Sequence, residues 1–246
     1  MKRFAIFLAA FAAVISSAVE LSGNKEFISL NWKNTMARPV FTVSFKVRMD
    51  KKNMVIPAHV KNRGRVLFNL SCQPKTVPGL LSMKMFFQMA AHPTGGYAGI
   101  QAEGLDFKGN NEKIRYNVYW RAANSQVPTD EFVTVTLVYA DGRFDAYLNL
   151  QNHAALHKLM THTVGFAAPE FKMTFGGSGA RYNVPCAIKD IAVFDRALTS
   201  EEVKHLVSNG NPKDIVGLLA HYPMEKNAVP AVSSPQISVK LHKRKK

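Results

Sequence analysis

Acidic residues, cysteines and long apolar runs are all scarce in this 246-residue chain. Only 17 Asp and Glu stand against 32 Lys and Arg, a formal net charge of +15, which turns the chain away from cationic partners and towards anionic ones through long-range attraction. Lys2 and Arg3 supply two of those charges and the segment KLHKRKK (240–246) another five, which leaves +8 on the body of the chain. Two cysteines, Cys72 and Cys186, are too few for a disulfide-dense scaffold, and without a Cys-x-x-Cys pair they exclude a thiolate zinc site. A Gly-x-Ser-x-Gly elbow is missing, as is a lone cysteine with a plausible catalytic partner. Beyond residue 18 no stretch is apolar enough to span a membrane.

What is present starts with a leader. MKRFAIFLAAFAAVISSA (1–18) carries two cations, an apolar run from Phe4 to Ile15, and small residues where a signal peptidase reads. The apolar run is shorter than the roughly 20 residues a spanning helix needs and has no basic flank after it, so cleavage after Ala18 is expected over an anchor. The chain is therefore expected to be exported: periplasmic, on the cell surface or secreted, with no transmembrane segment left after cleavage. In such a compartment Cys72 and Cys186 are expected to form one bridge, two buried thiols being the alternative.

From Phe27 to about Phe194 short β-rich runs alternate with turn residues, the spacing of a single large sandwich domain. Phe41, Val43, Phe45 and Val47 share one strand face, with Thr42, Ser44, Lys46 and Arg48 on the other. Further strands are expected at 65–71, 82–90, 97–103, 113–121 and 172–175. The clearest hairpin is FVTVTLVYADGRFDAYLNL: Val133, Val135, Leu137 and Tyr139 alternate up to the Asp141-Gly142 turn, and Phe144, Ala146, Leu148 and Leu150 resume beyond it.

One helix interrupts this pattern. In AIKDIAVFDRALTSEEVKHLVSNG, Thr199 and Glu202 form a capping box, and Leu198 and Val203 stand where a hydrophobic staple requires them. Val203, Leu206 and Val207 make a narrow apolar stripe, which Asn209, Gly210 and Pro212 stop. Such a helix lies against the flank of a sandwich. Residues 225–239 are polar with two prolines and precede the basic run, so 225–246 is expected to be a flexible basic tail.

The run Ile188-Lys189-Asp190-Ile191-Ala192-Val193-Phe194-Asp195, then Arg196-Ala197-Leu198-Thr199 and Glu201-Glu202-Val203, resembles the signature of the laminin-G-like, concanavalin A-type jelly-roll domains of exported bacterial proteins. The hairpin around Asp141-Gly142 is similar to the family's paired strands, although Leu150 and Phe132 replace a usual glycine and tryptophan. GLLAHYPMEKNA (217–228) resembles its closing strand. The resemblance is specific over 132–224 and implies an all-β, two-sheet antiparallel jelly-roll sandwich over 19–224, of about a dozen strands, with one concave face and one short C-terminal helix.

Related sandwiches include glucanases, which set two carboxylates across a glycosidic bond. Their Glu-x-Asp-x-x-Glu signature is missing here, as are the Gln-x-His and Tyr-Lys strand motifs of the lyase variants. His153, His157 and His162 invite zinc, but no Glu follows His153 in the metalloprotease pattern. Calcium is the metal the resemblance implies, held by loop carboxylates at the sandwich rim, with Asp106, Asp130, Asp141 and Asp190 as candidates here. For sugar binding the notable segment is KIRYNVYWRAANSQ. Tyr116, Val118 and Trp120 share one strand face, and Asn117, Tyr119 and Arg121 share the other. One face offers rings and planar polar groups to a pyranose, while the competing reading puts Tyr116 and Trp120 in the core.

These observations favour an exported, non-catalytic binding module for carbohydrate, including anionic glycan, or for an extracellular protein surface. The basic tail would add attraction to an anionic surface, and no nucleic acid is expected. A hydrolase or lyase of the same sandwich class and a plain structural surface protein are the alternatives.

Overall fold

Alternation of apolar and polar residues with a period of two accounts for most of the architecture. The computed structural model describes residues 18–23, 26–33, 40–50, 65–72, 82–92, 95–108, 112–126, 130–140, 143–149, 151–154, 170–177, 185–209, 211–224 and 231–243. Among them fifteen strands form two antiparallel sheets, a jelly-roll sandwich with one α-helix. The strands are β1 (Val19–Leu21), β2 (Phe27–Lys33), β3 (Phe41–Arg48), β4 (Arg65–Cys72), β5 (Ser82–His92), β6 (Gly95–Lys108), β7 (Glu112–Gln126) and β8 (Phe132–Ala140). After them come β9 (Arg143–Leu148), β10 (Gln151–Ala154), β11 (Glu170–Phe175), β12 (Cys186–Phe194), β13 (Leu218–Tyr222), β14 (Val232–Ser233) and β15 (Ile237–His242). The eight-stranded sheet runs β10-β9-β8-β3-β12-β13-β14, with β1 also on β12; the seven-stranded sheet runs β15-β2-β11-β4-β5-β6-β7.

Each sheet turns its apolar face to the other. Phe41, Phe45 and Val47 of β3 are fully buried against Trp32 of β2 and Phe171 and Phe175 of β11. Phe45 meets Phe175 edge-on with centroids 5.1 Å apart, and Phe41 meets Trp32 edge-on at 5.9 Å. Edge-to-face rings of this kind add to the burial of their area. The expected hairpin forms: Val135 pairs with Leu148 and Ala140 with Arg143. The turn residues Asp141 and Gly142, and Leu150, lie outside the described residues.

The helix α1 (Ser200–Asn209) covers the opposite face of the eight-stranded sheet. Leu198, Val203 and Leu206 pack with Val138, Tyr147, Ala192 and Phe194 in a second apolar cluster. Burying Val203 and Leu206 stabilises by about 1.5–3 kcal/mol each. The capping box closes as its spacing requires: Glu202 N–H donates to Thr199 Oγ1 at 3.3 Å, and Thr199 N–H to Glu202 Oε2 at 2.9 Å.

Two expectations are corrected. The segment from 225 holds two strands, and β15 pairs with β2 over six residues, from Ile237 opposite Trp32 to His242 opposite Phe27. Its alternation explains this: Ile237, Val239 and Leu241 complete the core, while Ser238, Lys240 and His242 point away from it. The Cys72–Cys186 bridge does not form, and Cys186 is a buried free thiol. Its sulfur lies beside Gly176, just past the end of β11, whereas Cys72 pairs with Phe171 at the strand's start. Five residues at about 3.3 Å each put the two cysteines on the order of 16 Å apart, beyond bridging distance. Burial also pushes the Cys186 thiol far above its ordinary value, with the charge of Glu20 adding to the effect.

Candidate functional site

Directly paired residues of antiparallel strands share a face, so a face known on one strand can be followed across a whole sheet. In the seven-stranded sheet the core face is fixed by buried Ile28, Leu30, Trp32, Phe171, Met173 and Phe175. From Trp32 the ladder runs through Phe171, Cys72, Met83 and Gly104 to Tyr116. From Ile28 it runs through Phe175, Phe68, Phe87 and Ile100 to Trp120. Tyr116, Val118 and Trp120 therefore occupy core-face register positions.

The alternate rows are of another chemistry. One runs Ser238, Asn31, Lys172, Ser71, Lys84, Glu103, Asn117; the next runs Lys240, Ser29, Thr174, Asn69, Phe86, Gln101, Tyr119. Gly99 brings Arg121 onto the same face. Thus Asn117, Tyr119 and Arg121 belong to the outward face of β7, an edge strand, at the end of a polar plane that crosses all seven strands. Where side chains are described, Lys172, Ser238 and Lys240 are exposed, Asn31 is half-buried, and Ser29 and Thr174 are buried. The sequence alone marks only the β7 end of this plane. The signal for the rest was available in the alternations Ser29/Asn31 and Ser238/Lys240/His242, which become one face only when pairing is known.

The four candidate calcium ligands are not brought together among the described residues. Asp106 lies near the end of β6 opposite Ile114. Asp130 precedes β8 with φ 67°, its N–H donating to Met49 O at 2.8 Å. Asp141 lies outside the described residues, and Asp190 sits on β12 in the other sheet. No group of three or more His, Cys, Asp or Glu with metal-binding geometry occurs among the described residues. His153 lies in β10 opposite Ala146; His157 and His162 are outside the described residues.

Asp190 has a defined set of partners. The β12–β3 ladder is irregular between Lys189 and Ala192, and Asp190 takes φ 53° there while its N–H donates to Pro223 O at 3.2 Å. This bulge aims the carboxylate between two strands: Lys46 Nζ is 3.2 Å from Oδ2, and Nε2 of buried His221 is 3.6 Å from Oδ1. Burial alone would raise the Asp190 carboxyl. The His221 ring and the Lys46 ammonium outweigh it and hold the group below the ordinary carboxylate range.

A second polar node ties the helix to the sheet. The Arg196 guanidinium forms a bidentate pair with Glu202, and its Nε donates to Val216 O at 2.9 Å. Asp195 N–H donates to Gly217 O at 3.0 Å, and Gly217 takes φ 86°; a Cβ there would fall 2.7 Å from Asp195 Oδ1. Both nodes hold strand β12 to its neighbours. Among the described residues no helix is long and apolar enough to cross a membrane.

No family model and no curated relative matches the chain. Among solved structures the chain is similar to a native heptameric SAP-like pentraxin from Limulus polyphemus, 14% identical over 92% of this chain and 93% of that one, with a TM-score of 0.47. It is similar to the CBM40 of the Ruminococcus gnavus IT-sialidase bound to α2,3-sialyllactose, 13% identical over 78% and 97%, TM-score 0.46. It is also similar to the botulinum neurotoxin type G receptor binding domain, 13% identical over 78% and 46%, TM-score 0.43. At these values no residue role, ligand or partner passes from those proteins to this chain.

Proposed function

We propose that the chain is an exported, non-catalytic binding module that recognises glycan on the outward face of its seven-stranded sheet. The observation that carries this reading is the register of that face: amides, hydroxyls, cations and the single carboxylate Glu103 fill two adjacent rows, with Tyr119 and Phe86 as the aromatic members. A pyranose needs these components, a ring to stack on and planar polar groups for its hydroxyls. Carboxylate placement also supports binding over bond cleavage. Asp190 is engaged by Lys46, Asp106 lies on β6 and Asp130 just before β8, so these three acids do not form the facing pair that glycoside hydrolysis requires.

The test is a glycan array with the purified protein at low salt, with and without calcium. Specific signals are expected, and Tyr119→Ala and Asn117→Ala should lower them at unchanged stability. Trp120→Ala, at a core-face position, should instead lower the unfolding midpoint. If no glycan binds at low salt, the carbohydrate reading fails.

A further inference from the structure

The outward face is uneven in charge, and its basic end lies where sequence reading placed a tail. Lys172 of β11 and Lys240 of β15 flank β2, opposite Asn31 and Ser29, two residues apart along that strand, and both are exposed. His242 follows two residues after Lys240 on the same face. Its ring stacks on Phe27 at 4.2 Å with planes 8° apart, and its Nε2 is 2.8 Å from Ser29 Oγ. The imidazole is thereby fixed at the rim of the plane, beside Ser29 and one same-face position along β15 from Lys240. Residues Lys243, Arg244, Lys245 and Lys246 continue directly from it.

We propose that Lys172, Lys240 and His242 form a subsite for the acidic groups of a sulfated or uronic-acid glycan laid across β15, β2 and β11. This rests on the glycan reading above and adds the ligand's charge and the residues that meet it. Charge complementarity selects an anion. The flanking amide and hydroxyl rows, continuous with the subsite, select a polyhydroxylated chain over a lipid surface, which would call for apolar insertion.

His242 gives the subsite a signature. The groups that face it are the Phe27 ring and Ser29 hydroxyl of β2, Lys240 on its own strand and Lys172 on β11. Burial first, then the charges of Lys240 and Lys172, push the imidazole below its ordinary value. It is therefore neutral at pH 7 and gains its proton only on the acid side of the usual histidine range, about 6.5. A bound anion favours the charged ring, so affinity rises as pH falls.

The experiment measures binding of the full chain to a heparin oligosaccharide, a neutral glucan of equal length and phosphatidylserine vesicles, across salt and from pH 7.5 to 5. The expected result is heparin binding that weakens with salt and strengthens in acid. The double variant Lys172→Gln/Lys240→Gln should bind about tenfold more weakly at low salt, with a shallower salt dependence. His242→Gln should abolish the acid strengthening. Because both lysines are exposed, the double variant keeps the fold and is informative even if His242→Gln loosens β15. Unchanged heparin binding in the double variant, with loss on replacing 243–246 by serines, would overturn the subsite in favour of the terminal run. Equal loss of vesicle and heparin binding would overturn it as unspecific charge. Binding of the neutral glucan without preference for heparin would refute this subsite and leave the glycan reading standing; failure of both sugars would refute both.

Discussion

Replacing Glu202 by glutamine isolates one charge at the helix start, and its consequence can be worked out in sign and size. Glutamine can still cap Thr199 N–H, so the substitution removes mainly the ion pair with Arg196. The hydrogen bond from the Arg196 guanidinium, helped by Thr199 and opposed by burial, holds the Glu202 carboxyl down from 4.5 to about 2. A shift of that size corresponds to about 3 kcal/mol by linkage. Arg196 and Glu202 keep 33% and 28% of their side-chain surface in water, so screening reduces this to about 1–2 kcal/mol. A depressed carboxyl contributes stability above its unfolded value and loses it as pH falls through the folded one. Urea unfolding of wild type and Glu202→Gln should therefore show a gap of about 1–2 kcal/mol at pH 7 that narrows below about pH 4.5 and closes near pH 2. Effects of the other carboxylates cancel in the difference. A gap that stays constant across pH, or none at pH 7, refutes the assignment of the pair.

Thr42 is fully buried, and its hydroxyl donates to Arg196 O at 2.8 Å while accepting Leu198 N–H at 3.1 Å. Thr42→Val should cost about 1–3 kcal/mol by orphaning both backbone groups, and Thr42→Ser should restore most of it in the same denaturation assay. Cys186 should resist iodoacetamide in the native protein and react at the rate of unfolding, because its thiol is buried and pushed up; rapid native labelling at that position, read by peptide mass, would contradict the packing around Leu21 and Gly176.

The elements legible in the sequence are those whose determinants are local. Thr199, Glu202, Leu198 and Val203 are close neighbours in the chain, and all four take the capping and staple roles that their spacing predicts. The hairpin is specified by its two alternating runs, and the strand at 172–175 by Lys172/Met173/Thr174/Phe175. The misreadings concern partners distant in sequence. From sequence β15 resembles a tail because its lysine and histidine match the solvated run after them; its three apolar residues find their place only on β2, some 210 positions away. The Asp190 bulge depends on Pro223 and Lys46, neither of which is adjacent in sequence.

The division of β7 into a core set and an outward set depends on register, and a slip of one residue would exchange Trp120 with Tyr119. Two irregularities in this sheet lie near enough to matter, between Val66 and Phe68 on the β4–β5 ladder and between Tyr97 and Gly99 on the β6–β7 ladder. Both fall outside the rows that join Asn31 to Asn117 and Ser29 to Tyr119, which cross β4 at Ser71 and Asn69 and β6 at Glu103 and Gln101. The β15–β2, β2–β11, β11–β4 and β5–β6 ladders run without a shift over the same stretch. The core at one edge thus fixes the face at the other through six ladders. The same residues that bury Trp32 against Phe41 and Phe171 decide that Asn117, Tyr119 and Arg121 lie with Lys172 and Lys240 on the outward face.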